Sequence, residues 1–170
     1  MAYTKLATFN SSALLTVITT SGSAIPYNVK LSSDDSLIVS GTITSGTATD
    51  INSSGEPEDC YIEIEPTDPV LSLFFTRGES NGFWLDIETN YLNANLNNLT
   101  INDTHISTVD LSGCTTLENI NILDNQSLSE IIWPEAITTS LNSVVITGNA
   151  SLPAAAQDDI IAKVWDNALT

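Results

Sequence analysis

The segment from Leu96 to Leu152 repeats a pattern of apolar pairs, and this repetition constrains the fold more than any other feature. Each pair has one residue between its members, as expected for a short strand with one buried face. The first members of successive pairs lie 10, 11, 11 and 13 residues apart. Two such steps make a coil of about 21 to 24 residues, within the length range of leucine-rich repeats. The pairs are Leu99 and Ile101, Val109 and Leu111, Ile120 and Ile122, Ile131 and Trp133, and Val144 and Ile146.

Three of these pairs are followed by a small polar residue and then by an apolar residue at constant spacing. An asparagine at such a bend can hydrogen-bond backbone groups that the turn leaves unpaired, so we expect Asn125 and Asn149 to form a ladder. Cys114 has the same place in its unit and is expected to be a buried turn residue. The predicted structural repeat residues are Leu99, Ile101, Val109, Leu111, Cys114, Leu117, Ile120, Ile122, Asn125, Leu128, Val144, Ile146, Asn149 and Leu152.

The first 80 residues contain short apolar runs separated by clusters of glycine, serine, aspartate and proline. Strand signals at this spacing, with no helical period between them, predict a small antiparallel β-sandwich that serves for docking or oligomerisation. The segment 47–59 has little apolar content and is expected to be a loop. The predicted strands are 14–19, 27–31, 36–43, 61–65 and 70–76.

The predicted fold is therefore mainly β, with an N-terminal antiparallel β-sandwich (1–80) packed against a short leucine-rich repeat solenoid (81–170). Leu85 and Ile87 resemble an irregular first repeat unit, which a terminal position allows. After Leu152 the apolar period changes from two to 3.6, which predicts a capping helix over 153–169. Its apolar stripe consists of Ile161, Val164, Trp165 and Ala168.

The charge of the chain excludes several classes of partner. Its 21 acidic residues against four lysines and arginines give a net charge of −17 and a pI near 4.1. Such a field repels phosphate backbones and anionic lipids, so binding to nucleic acid or to a membrane surface is not expected. No apolar run approaches the ~20 residues of a membrane span, and no secretory signal is recognisable, which predicts a soluble chain.

Residues that could carry catalysis are scarce. The single histidine, His105, lacks a second histidine or thiol at metal-ligand spacing, and we expect it in a solvent-facing turn. The sequence contains no Gly-x-Ser-x-Gly elbow, phosphate loop or dinucleotide fingerprint. Acidic clusters at 34–35, 56–59 and 158–159 lack the alternating pattern with glycine of a calcium loop. We therefore predict no enzyme, no cofactor and no metal site.

The tryptophans are the remaining candidates for ligand contact. Trp133 lies on a repeat pair and Trp165 on the predicted helix stripe, so both are expected in the core. Trp84, at the junction of the two predicted domains, is the candidate ligand contact, for example in a sugar-binding platform.

The repeat segment resembles the short leucine-rich repeat proteins of Bacteroidetes-type bacteria and of their bacteriophages. The resemblance covers about residues 83–170 and is carried by LNNLTI (96–101), VDLSGCTTLENINILDN (109–125) and the closing LPAAA and DDII (152–156 and 158–161). The chain departs from the pattern at Thr104, where a repeat asparagine is expected, and in the 13-residue step around Pro134.

This resemblance implies a non-enzymatic bacteriophage virion component, such as a capsid decoration or fibre-like protein, made in the host cytoplasm. Its implied partners are other virion proteins and host-surface glycans or proteins, with the chain acting as a homo-oligomer or in many copies on a particle. The alternatives are a fragment of a bacterial cell-surface adhesin, a carbohydrate- or calcium-binding module, a carbohydrate-active or metal-dependent enzyme, and an assembly scaffold.

Overall fold

The computed structural model describes residues 4–10, 12–52, 59–77, 83–87, 95–135, 141–159 and 162. Within these ranges the chain forms thirteen strands and one short helix, α1, over residues 154–159. The prediction of a mainly β chain is confirmed. The strands are β1 (Thr4–Asn10), β2 (Ser12–Thr19), β3 (Ile25–Leu31), β4 (Leu37–Ile43), β5 (Thr49–Asn52), β6 (Cys60–Ile64), β7 (Val70–Arg77), β8 (Phe83–Ile87), β9 (Asn98–Asn102), β10 (Thr108–Asp110), β11 (Asn119–Leu123), β12 (Glu130–Ile132) and β13 (Ser143–Thr147).

A five-stranded antiparallel sheet takes the order β4-β3-β6-β1-β8. Its strands alternate with period two, so Ile62 and Ile64 are fully buried. Between them Glu63 faces outward, where it forms a 2.9 Å ion pair with Lys30 on the neighbouring strand. This sheet thus has one apolar face and one charged face.

A six-stranded sheet takes the order β5-β2-β7-β9-β11-β13, and its pairing changes from antiparallel to parallel at β7. Strands β5, β2 and β7 are antiparallel neighbours, whereas β7, β9, β11 and β13 all run parallel. The pairing places Leu73, Leu99, Ile120 and Val144 opposite one another along the parallel half. The apolar pairs on β9, β11 and β13 therefore lie in register.

The remaining apolar pairs lie on a third, two-stranded parallel sheet made of β10 and β12. Val109 pairs with Ile131, and the residues that close these two predicted pairs, Leu111 and Trp133, are also buried. The chain thus alternates between the six-stranded and the two-stranded sheet as it winds from β9 to β13. One full turn is 21 or 24 residues on the first sheet, counted from Leu99 to Ile120 to Val144.

Two strands were not predicted from the sequence. Strand β1 supplies Leu6, Ala7 and Phe9 to the core, all fully buried. Strand β5 falls within the predicted loop 47–59, because its single apolar residue, Ile51, is too little to produce a periodic signal. Ile51 is nevertheless fully buried, and it lies opposite Ala13 on β2.

The prediction that Leu85 and Ile87 begin the repeat is wrong. Their strand, β8, is antiparallel to β1 and belongs to the five-stranded sheet. The strand that precedes β9 in the parallel stack is β7 instead. The β8 strand meets the coils where the His105 N–H donates to the Trp84 carbonyl at 2.9 Å.

The boundary predicted at residue 80 is crossed by hydrogen bonding in both large sheets, through the β7–β9 and β1–β8 pairs. A continuous apolar core also extends from Leu6 to Leu152. The boundary itself stays a prediction, and the two predicted parts share both sheets.

The predicted C-terminal helix is described only in its first turns. Residues 154–159 are helical, which agrees with a start near Pro153, and Ala156 packs against the core. The predicted stripe of Ile161, Val164, Trp165 and Ala168 lies outside the described residues.

Candidate functional site

The predicted repeat residues form the interior of the coils. All of them are buried except Val144 and Ile146 on the last strand, which are half-buried. A buried side chain holds the fold together and is not available to a partner. These residues therefore position a site without forming one.

The predicted ladder of bend residues is present. Asn125 and Asn149 are buried at the ends of β11 and β13. Asn125 Nδ2 donates to the Ile101 carbonyl at 3.0 Å, and Asn149 Nδ2 donates to the Ile122 carbonyl at 2.9 Å. In return the Asn125 backbone N–H donates to Asn149 Oδ1 at 2.9 Å. Each carboxamide thus closes the backbone of the preceding coil.

Thr104 takes the place of an asparagine at the first bend. Its N–H and its hydroxyl both donate to Asn125 Oδ1, at 3.0 and 2.7 Å. The backbone residue before each ladder position has a positive φ: 50° at Asp103, 57° at Asp124 and 74° at Gly148. The same left-handed bend therefore recurs in all three coils.

Cys114 is buried as predicted, but the expected equivalence with Asn125 and Asn149 is wrong. It follows β10, on the two-stranded sheet, whereas the ladder follows strands of the six-stranded sheet. Sequence spacing alone could not distinguish the two halves of a coil. Burial, with a smaller contribution from Asp110, raises the pKa of the Cys114 thiol to about 12. The thiol is therefore protonated near neutral pH.

The prediction that Trp84 contacts a ligand is corrected by its burial, because its exposed fraction is 0%. Its ring centroid lies 5.5 Å from that of Phe9 and 5.1 Å from that of Phe75, so it packs between the two large sheets. Its indole N–H is shared between the Leu14 and Thr76 carbonyls, both at 3.1 Å. Trp84 is a core residue with its polar atom satisfied.

The surface with the clearest functional character is the outward side of β2, β7, β9, β11 and β13 in the six-stranded sheet, which we call the neutral face. Strand β5 is not part of it, because its Asp50 lies on the same side, opposite Leu14. The fifteen residues of this face lie on β2, β7, β9, β11 and β13, and none carries a charge. They form three rows across the strands, namely Leu14, Thr76, Asn102, Leu123 and Thr147; Thr16, Phe74, Thr100, Asn121 and Val145; and Ile18, Ser72, Asn98, Asn119 and Ser143.

Hydrogen bonds between strands fix part of this surface. Asn119 Nδ2 donates to Asn98 Oδ1 at 2.7 Å, and Asn98 Nδ2 donates to Ser72 Oγ at 3.0 Å. Beside this row, Phe74 is half-buried between Thr16 and Thr100. The neutral face therefore offers an aromatic ring, methyl groups and amides in positions set by neighbouring strands.

The other described faces carry the charge. Outward positions of the two-stranded sheet include Asp110 and Glu130, and those of the five-stranded sheet include Lys30 and Glu63. Asp50 on β5 borders the neutral face at one edge of the sheet. The absence of charge is thus specific to the outward side of β2, β7, β9, β11 and β13.

Other site types find little support in the described ranges. His105 is exposed as predicted. No group of three or more histidine, cysteine, aspartate or glutamate side chains is placed to hold a metal ion in the described part of the chain. No described helix is long and apolar enough to cross a membrane.

Comparisons with protein-family models, with curated proteins and with solved structures found no match. The assignment of a site therefore depends on the geometry and chemistry of this chain.

Proposed function

We propose that this protein is a non-enzymatic binding and structural module whose contact surface is the neutral face. The observation that carries the proposal is the placement of fifteen uncharged residues, all partly exposed except the buried Ser72, on one side of five neighbouring strands in a chain with net charge −17. Charged residues are depleted at the centres of protein interfaces, because burying an unpaired charge is unfavourable. A partner can cover this face without desolvating a carboxylate.

The arrangement around the face supports the same function. Asp50 borders one edge, and Asp103 and Asp124 lie at the bends beyond two of its strands. Charges at the rim of an interface remain hydrated and influence the rate and orientation of encounter more than affinity. The expected partner surface is therefore polar and apolar in its centre, with basic groups around it.

We infer that the architecture is a β-sandwich whose second sheet continues into a short solenoid of the leucine-rich repeat class. The support is the coil length of 21 to 24 residues together with the ladder through Thr104, Asn125 and Asn149. In such an array each coil buries its apolar side only against its neighbours, so a short array benefits from being anchored to a sheet.

The proposed setting is a bacteriophage particle, in which the chain is a capsid decoration or fibre-like protein. The resemblance of residues 83–170 to short repeat proteins of such phages supports this setting. A small face binds weakly by itself, and many copies on one particle compensate for weak individual contacts.

Mass spectrometry of purified particles from cells producing this chain tests the setting. We expect the chain in mature particles in multiple copies. Recovery from the bacterial envelope and not from particles would favour the adhesin alternative. Presence only in immature particles would favour the assembly scaffold.

The role of the neutral face is tested by placing one extra charge on either side of the coils. Thr100→Glu puts a carboxylate in the middle of the neutral face, and Thr108→Glu puts one on the outward side of the two-stranded sheet. Both threonines are half-buried, and both variants have the same net charge. We expect Thr100→Glu to reduce the copy number per particle at least tenfold and Thr108→Glu to leave it unchanged. Equal incorporation of two folded variants would refute the assignment of the face.

A further inference from the structure

A cavity lies at the β13 end of the coils, beside the last bend. Its volume is about 220 Å³, and its lining includes Ile146, Gly148, Asn149 and Gln157. It lies at the end of β13, which pairs with β11 on one side and is the edge strand of the six-stranded sheet.

Inside the array, every bend offers the next coil the same pair of groups. The Ile101 carbonyl and the Thr104 N–H hold the Asn125 carboxamide, at 3.0 Å each. The Ile122 carbonyl and the Asn125 N–H hold the Asn149 carboxamide, at 2.9 Å each. A carbonyl acceptor and an N–H donor three residues apart therefore bind both halves of one primary amide.

At the last coil this pair is the Ile146 carbonyl and the Asn149 N–H. Because β13 is parallel to β11 and in register with it, these two groups point away from β11, as their equivalents point toward the next coil. Both residues line the cavity, and in the described ranges no residue bonds to either group from that side. Among the described residues, none takes the position of a fourth bend carboxamide.

The edge strand itself is suited to accept another strand. Its sequence, Ser-Val-Val-Ile-Thr, contains no charge and no proline, and Val145 is 39% exposed. The opposite edge, β5, is only four residues long and carries Asp50. Short or charged edges resist strand addition, whereas an uncharged β-branched edge permits it. Of the two edge strands of this sheet, β13 is therefore better suited than β5 to pair with an added strand.

We propose that this end of the coils is a binding site for the primary carboxamide of an asparagine on an extended, uncharged segment of a partner protein. The segment adds to β13 as a further parallel strand, and its asparagine enters the cavity and closes the ladder. This inference is independent of the neutral face, because it uses backbone groups at the edge and not the outward side chains. It continues an interface that the chain already makes twice between its own coils.

The test uses a synthetic peptide with the sequence of residues 143–152, which reproduces one strand, bend and ladder asparagine without charge. A second peptide carries Asn149→Asp, which replaces the amide donor by a carboxylate that faces the Ile146 carbonyl. Each peptide is titrated into the ¹⁵N-labelled full chain, and the backbone amides of Gly148 and Asn149 are followed by NMR. We expect saturable shifts at these two amides with the first peptide and at least tenfold weaker binding of the second.

A pair of protein variants tests whether a charge affects peptide binding only when it lies in the cavity lining. Gln157→Glu places a carboxylate in the lining, whereas Ala155→Glu adds the same charge to an exposed α1 residue outside the lining. We expect Gln157→Glu to weaken the first peptide at least fivefold and Ala155→Glu to leave its affinity unchanged. Equal affinity of the two peptides, no shift at millimolar peptide, or shifts confined to β5 would overturn the proposal. Shifts of the same amides with protein concentration alone would overturn the choice of partner and identify a second copy of this chain as the occupant.

Discussion

The substitution Asn125→Leu tests whether the bend ladder stabilises the fold. Asn125 is fully buried, and leucine has a similar size, so the change removes hydrogen bonds without leaving a large cavity. The Ile101 carbonyl loses the Asn125 amide, and the Thr104 N–H and hydroxyl lose their common acceptor. Asn149 Oδ1 keeps the Asn125 backbone N–H.

The expected loss of stability follows from the groups left without a partner. Each buried backbone group without a hydrogen bond costs about 1–3 kcal/mol, so the two backbone groups together cost about 2–6 kcal/mol. Domains usually have an unfolding free energy of only about 5–15 kcal/mol, so this loss is large. Urea denaturation followed by far-UV circular dichroism measures it, with the m-value compared between variants.

The matched control is Asn121→Leu, the same exchange at an outward, half-buried position on β11, the strand that precedes the bend of Asn125. We expect it to change the unfolding free energy by less than about 0.5 kcal/mol. An effect of Asn125→Leu as small as that of the control would refute the stabilising role of the ladder.

Three further predictions follow from local contacts. Gly41→Ala would place a Cβ 2.6 Å from the Tyr27 ring. We expect it to lower the unfolding free energy by about 1–3 kcal/mol in urea denaturation, and by less in a Tyr27→Ala background. An equal loss in both backgrounds would exclude the contact as the cause. Trp84→Phe removes the buried indole N–H from the Leu14 and Thr76 carbonyls and leaves a cavity, so it should lower the unfolding free energy by about 2–4 kcal/mol in the same assay. A loss under about 0.5 kcal/mol would contradict the described packing. The pKa of Cys114 is about 12 in the folded chain and about 9 when unfolded, so the unfolded state loses this proton first and stability should fall as the pH rises from about 9 toward 12. Cys114→Val should have a shallower decline between pH 8 and pH 10.5 than the native chain, and identical slopes would show that the thiol does not contribute.

The burial of the apolar pairs on β9 and β11 was predictable because its signal is local. The pairs Leu99 and Ile101, and Ile120 and Ile122, are two residues apart in sequence and face one side of a strand, so their inward direction follows from the pleat alone. The ladder through Asn125 and Asn149 was predictable for a similar reason, since a bend leaves backbone groups that a nearby amide can satisfy.

The role of Thr104 in the ladder could not be predicted in this way. Its N–H and hydroxyl both donate to Asn125 Oδ1, so a threonine forms the first position of the ladder. Sequence comparison between units therefore marked it as a departure, although it is a functional end of the ladder.

The pairing of distant strands could not be predicted. The sequence marks Phe83–Ile87 as a strand but does not say whether it pairs with β1 or with a coil, because both choices bury one face. The burial of Trp84 depends on that choice, since it is the β1–β8 pairing that brings Trp84 beside Phe9.

The neutral face was missed for the same reason. Thr16, Phe74 and Thr100 are far apart in sequence and become neighbours only when β2, β7 and β9 are paired. Each strand separately shows an ordinary mixture of serine, threonine and asparagine outside. The sequence does show that alternate positions of several strands carry no charge. Only the strand order shows that these positions form one surface.

Hydroxyl-radical footprinting, applied to the isolated chain and to purified particles of the proposed kind, tests the role of the neutral face most directly. Phe74 and Leu123 report on that face, whereas Leu37, 58% exposed, and Ile132, 40% exposed, report on the other two sheets. We predict that labelling of Phe74 and Leu123 falls severalfold in the particle while labelling of Leu37 and Ile132 is unchanged. Protection of Leu37 or Ile132 with unchanged labelling of Phe74 would contradict the assignment of the neutral face as the contact surface.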